Sequence, residues 1–109
     1  MDSNSKTDRA FVTPWPGDGE PGEFDILRKL RADGLIADAW SNAPGDMYGT
    51  HTHSYHKVIY CVSGSITFGL PDTGESIAIV PGDRLDVPAG VRHNAKVGDK
   101  GVYCLEAHL

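Results

Sequence analysis

Glycine and proline punctuate this chain more tightly than a helical architecture tolerates. Thirteen glycines and seven prolines fall within 109 residues. After Gly34 they recur as turn signals, Pro44-Gly45-Asp46, Pro71-Asp72-Thr73-Gly74, Pro81-Gly82-Asp83 and Pro88-Ala89-Gly90, between runs rich in Val, Ile and Tyr. Glycine supplies the positive φ of tight turns, and proline fixes φ while removing a ladder N–H. Short strands joined by tight turns satisfy that pattern, so the sequence predicts an all-β domain. About eight strands are read, at 35–41, 47–53, 57–62, 65–68, 75–80, 84–87, 91–97 and 102–107, with Gly64 turning the third into the fourth.

One segment departs from this rhythm. Phe24, Leu27 and Leu30 stand three apart with Ile26 beside them, which predicts a short helix over about 23–33, ended by Asp33-Gly34 and bracing one face of the strands. Before it, Phe11-Val12-Thr13-Pro14-Trp15-Pro16 is too rich in proline for a central strand but suits an edge. Residues 1–16 are therefore read as an arm that begins as a loose tail and packs on a neighbouring subunit. Residues 17–109 form a single domain, with its strands over 35–109.

Composition excludes several partners. A formal net charge of −5, with no basic cluster larger than Arg28-Lys29 and Arg31, argues against nucleic acid. No run reaches the apolar length of a membrane span, and the opening residues form no signal peptide, so a cytoplasmic protein is expected. Cys61 and Cys104 lie in separate apolar runs without metal-binding spacing, which suits free buried thiols.

Chemistry concentrates in His51-Thr52-His53-Ser54-Tyr55-His56-Lys57. Alternate residues of a strand share a face, so His51, His53 and Lys57 point one way with Ile59 and Cys61, together with Met47 and Gly49. On that parity His56 points the other way unless a bulge intervenes. His93, delivered by the turn Pro88-Ala89-Gly90, is the natural third imidazole. Three neutral imidazoles can hold a divalent metal and leave positions open for substrate, whereas the alternative is a polar patch of satisfied histidines. Asp83, Arg84 and Asp86 read as turn and surface charges, and His108 as exposed.

His51-Thr52-His53, with Gly49 just before, Gly45 at the six-residue distance the motif expects, and Gly64 closing the segment, resembles the first motif of the cupin superfamily, G(X)5HXH(X)3,4E(X)6G. Gly82, Pro88, Gly90 and His93 are similarly spaced to its second, G(X)5PXG(X)2H(X)3N. The resemblance implies a double-stranded β-helix, the jelly-roll or cupin barrel. It also implies a divalent transition metal such as iron, zinc, nickel or manganese on His51, His53 and His93, a small-molecule ligand or substrate, and a homodimer.

Two places depart from the motifs. Lys57 stands where the family carries its glutamate, and Val97 where it carries its asparagine. An ammonium beside a divalent cation is repelled, so Lys57 is deprotonated, or turns away, or replaces the metal. Lys57 and His56 are candidate catalytic residues on the first two readings. The chain then acts on a small polar or carboxylate-bearing metabolite, by dioxygenase- or isomerase/lyase-type chemistry. The alternative is a non-catalytic cupin that binds or senses a small anion without metal.

Overall fold

The computed structural model describes residues 9–109. The first eight residues of the expected tail lie outside them. Seven strands and one helix follow in order: β1 (Phe11–Thr13), α1 (Glu23–Ala32), β2 (Asp38–Asn42), β3 (Met47–His51), β4 (Lys57–Leu70), β5 (Glu75–Ile79), β6 (Arg84–Val87) and β7 (His93–His108). All pairings are antiparallel.

The long strands β4 and β7 run through the whole fold as partners, from Lys57 opposite His108 to Gly69 opposite Asn94. The first half of β4 and the second half of β7 belong to one layer, ordered β1-β6-β4-β7-β2. Their other halves carry β5 and β3. Gly64 therefore makes a corner within β4, not the hairpin expected from sequence. Its φ of 76° suits glycine, and a Cβ there would lie 2.0 Å from the carbonyl oxygen of Gly101 on β7. Register shifts on either side of Gly64 merge two expected strands into β4 and two more into β7.

The shifts reverse which parity faces inward. Ile59 and Cys61 join the central cluster before the corner, and Ile66, Phe68 and Leu70 join it afterwards. On β7 the inward set changes from Ala95 and Val97 to Val102 and Cys104. The result is a two-layered double-stranded β-helix closed around one apolar interior. Cys61 and Cys104 face each other across the strands as free, buried thiols. Hydrogen-bonded to Cys61 and buried, the Cys104 thiol is held well above the usual range.

A second cluster lies on the outer surface of the first layer. Val58, Tyr60, Leu105 and Ala107 meet Ile26 and Leu30 of α1 there. Ile26 and Leu30 sit four apart on one helical face, and full burial of each contributes about 2 kcal/mol. Phe24 was expected in this stripe but is 74% exposed, because the buried face follows the Ile26–Leu30 spacing. The Asp25 carboxylate accepts the Gly22 N–H at 2.8 Å and closes the helix's first turn. The arm is seated on its own barrel: β1 pairs with the edge of β6, Ala10 enters the core, and Trp15 packs beside α1. Val12 of the same arm remains 40% exposed. Among the described residues no helix is long and apolar enough to cross a membrane.

Candidate metal centre

The inner ends of β3 and β7 bring His51 directly opposite His93. β3 stops at His51, so His53 lies in the loop that leads to β4. That loop is tied to the second motif, because the Gly90 N–H donates to the His53 carbonyl at 2.9 Å. Gly90, with φ 82°, permits the turn that presents its N–H. The three rings converge, with centroids 4.8 Å apart for His51–His53, 4.3 Å for His51–His93 and 5.3 Å for His53–His93. One nitrogen from each lies within 4.8 Å of the others, an arrangement that could hold a single metal ion.

The hydrogen bonds select which nitrogens are available. His51 Nδ1 lies 2.6 Å from the Gly49 carbonyl and His93 Nδ1 2.9 Å from that of Val91. A carbonyl can only accept, so both Nδ1 atoms carry a proton, and in the neutral ring the lone pair is then on Nε2. His53 presents its Nε2 to the Lys57 ammonium at 3.4 Å, which again leaves the lone pair on Nε2. Burial pushes the His53 proton affinity down, and the positive charge of Lys57 and the two other imidazoles adds to it, against an opposing pull from Glu106. His93 is lowered chiefly by burial, partly offset by its bond to Val91. Neutral imidazoles that can offer an Nε2 lone pair are what a divalent transition metal requires, so the three histidines fit one, provided that Lys57 gives up His53 Nε2.

Parity placed Lys57 on the same side as His51 and His53, and the structure brings them together. It does so through a loop, not through the unbroken strand on which the parity argument relied. His56, expected as an assisting residue, is turned away: its Nε2 meets the Asp86 carboxylate at 2.7 Å on the other side of the sheet. Asp86 is only 3% exposed, contrary to its reading as a surface charge, and it also accepts from Arg84 Nε at 2.8 Å. Met47 does not share the face of His51. A register shift between Tyr48 and His51 puts Tyr48 in the pocket and leaves Met47 exposed.

The histidines open on a cavity of about 240 Å³. Its walls are mainly apolar, from Trp40, Tyr48, Ile59, Ile66, Phe68 and Ala95, with Lys57 and Glu106 as the charged groups. Sequence reasoning missed Glu106. It sits 3.2 Å from the Lys57 ammonium through Oε1, which also accepts the Trp40 indole N–H at 2.9 Å. The signal was present in parity with Val102 and Cys104, but counting from His93 gives the opposite face because of the corner. Tyr103 bonds Glu23 at 2.5 Å and Tyr60 lies in the outer cluster, so neither hydroxyl serves the pocket. Tyr55 stacks on half-exposed His108 at 3.7 Å between centroids.

Comparison with known proteins follows the same lines. The cupin domain family matches residues 40–107. Quercetin 2,3-dioxygenase of Bacillus subtilis (strain 168) is 32% identical over 74 residues, covering 66% of this chain but 21% of that protein. The chain thus spans about a fifth of the length of this curated relative. Among solved structures, a DUF861 family protein of Thermotoga maritima aligns over 93% of this chain and all of its own, with a TM-score of 0.62 and 16% identity. The DMSP lyase DddQ of Ruegeria pomeroyi aligns over 68% of this chain and 37% of its own, with a TM-score of 0.61 and 22% identity. At such identities these structures speak for the fold alone. With both motifs, the double-stranded β-helix and the matched domain in agreement, the chain belongs to the cupin domain family.

Proposed function

We propose that this protein is a metal-dependent cupin that binds a divalent transition metal on His51, His53 and His93 and acts on a small polar or carboxylate-bearing metabolite. The observation that carries the reading is the convergence of three imidazole nitrogens within 4.8 Å, two of them fixed by backbone carbonyls. Such a metal supplies Lewis acidity, suited to isomerase or lyase chemistry, or one-electron chemistry with oxygen if it is iron. The chain's own residues do the rest. The apolar walls exclude water from a substrate body of metabolite size, and the cavity lies at the small end of ligand sites. Lys57 has three donors as an ammonium; with His53 Nε2 given to the metal only Glu106 engages it, so two N–H remain for oxygens of the substrate.

A second reading, a barrel that binds a small anion without metal, is favoured by one contact. The Lys57 ammonium lies 3.4 Å from the His53 nitrogen that a metal would use. Element analysis separates the two readings, on protein never exposed to chelator or a nickel column. The metal reading expects near-stoichiometric iron, zinc, nickel or manganese, lost in His53→Ala. No transition metal in the wild type supports the anion-binding barrel, and full occupancy in His53→Ala removes His53 from the ligand set.

A further inference from the structure

Lys57 is a poor neighbour for a metal centre, and the structure contains a feature that answers it. Its side chain is 14% exposed and that of Glu106 17%, so little water shields either charge. Lys57 Nζ reaches two partners, His53 Nε2 at 3.4 Å and Glu106 Oε1 at 3.2 Å. The first is the atom that would ligate a metal, and the second is carried by β7. Glu106 is itself held from two directions. Trp40 of β2 donates to Oε1 at 2.9 Å, and His108 lies 3.5 Å from Oε2 with its ring against Tyr55. Its carboxylate is not among the groups that converge with the three histidine nitrogens.

We propose that Glu106 is a positioning residue for the metal centre: it is the seat to which the Lys57 ammonium withdraws when His53 gives its Nε2 lone pair to a divalent cation. Lys57 holds that lone pair in the metal-free site, and Glu106, fixed by Trp40, receives and neutralises the displaced charge. The pair thus stands in for the glutamate missing from position 57, with the negative charge moved to the last strand and acting through the lysine instead of on the metal. The inference rests on the metal reading above.

Cobalt(II) titrated into the metal-stripped full chain, followed by calorimetry, tests both and tells them apart. Glu106→Gln keeps an acceptor for Trp40 but loses the charge, and should weaken cobalt binding by about 10- to 100-fold, as supporting groups around metals do. Lys57→Met should strengthen binding by about tenfold or more. In the Lys57→Met background, Glu106→Gln should change affinity by less than about threefold, because its effect runs through the lysine. Wild-type binding with Glu106→Gln indifferent overturns the inference and leaves the metal reading standing. A Glu106→Gln loss of the same size without Lys57 also overturns it. No cobalt binding by wild type or Lys57→Met overturns the metal reading and the inference together. Should Glu106→Gln fail to fold, Lys57→Met decides alone, and unchanged affinity there rejects the proposal.

Discussion

Two clusters of imidazole, cation and carboxylate lie back to back on one sheet. Inside the barrel His53 meets Lys57, and Lys57 meets Glu106; outside, His56 meets Asp86, and Asp86 meets Arg84. Only two residues separate the histidines, and Lys57 follows His56 directly. Yet the outer cluster is closed. Asp86 takes His56 at 2.7 Å and Arg84 through Nε at 2.8 Å and Nη2 at 3.2 Å, and Arg84 extends to Asp33 at 3.6 Å and over the Tyr60 ring. The bond to Asp86 raises the already high proton affinity of Arg84 further. The inner cluster instead gathers one nitrogen from each of three imidazoles within 4.8 Å beside a cavity, with only a long 3.4 Å contact from Lys57 to His53 among them. Residue types alone do not distinguish a brace from a binding site; what distinguishes them is whether the polar valences are spent on each other.

The sharpest way to break this contrast is at His51. Its ring is partly exposed and its hydrogen bond to Gly49 is local, so His51→Ala should leave thermal unfolding of the metal-free protein nearly unchanged. Divalent-metal affinity should fall by on the order of 100-fold or more, above the loss expected for a group that only supports a ligand. Titration of both proteins with the same metal checks this, and retained affinity would take His51 out of the centre.

The outer cluster should respond in the opposite sense. Asp86→Asn removes a buried charge that serves two donors but keeps one amide oxygen as acceptor, so a loss of about 2 kcal/mol in unfolding free energy is expected. Denaturant titration measures it. Metal affinity of the folded variant should match the wild type, and a parallel loss of both properties would show that the two faces are coupled through β4 and β6.

How much of this contrast could be read from the chain follows from the physics of strands. The helix, the two histidine motifs and the tight turns at residues 44–45, 71–74, 81–82 and 88–90 are local or carry fixed spacing and appear where the residues predict them, whereas the turn expected at Gly64 is a corner inside one strand. Parity sorted His56 from His53 and Lys57 correctly, although residues 52–56 form a loop, because that loop returns to the sheet in the same phase. Parity failed where a corner or bulge adds residues to one strand. The shift before His51 exchanged Met47 for Tyr48, and the corner at Gly64 and Gly101 hid Glu106, whose partner Lys57 lies 49 positions earlier. Nothing short-range announces such a pair. Asp86 was misread for the same reason, since its partner His56 comes from another strand's approach.

The mildest test uses protons in place of metal. Burial lowers the proton affinity of His53 and His93 from the ordinary value of 6.5, whereas in the unfolded chain both imidazoles return to it. Below pH 6.5 the unfolded state therefore binds more protons than the folded one, and stability must fall as pH drops from there through the lowered folded values. Above that window the two histidines contribute no pH dependence. The loss is small, since His53 is only partly buried and solvent screens its charge. Carboxylates also titrate in acid, so the informative quantity is a difference: His53→Gln should lose less stability than wild type between pH 7.5 and 5.5 in urea unfolding. Added metal should steepen the acid loss in the wild type, because protons and the cation then compete for the same Nε2 atoms. Equal slopes in the two proteins would mean that His53 is as free to protonate in the fold as in the open chain. The inner cluster would then be no more poised for a cation than an ordinary surface histidine.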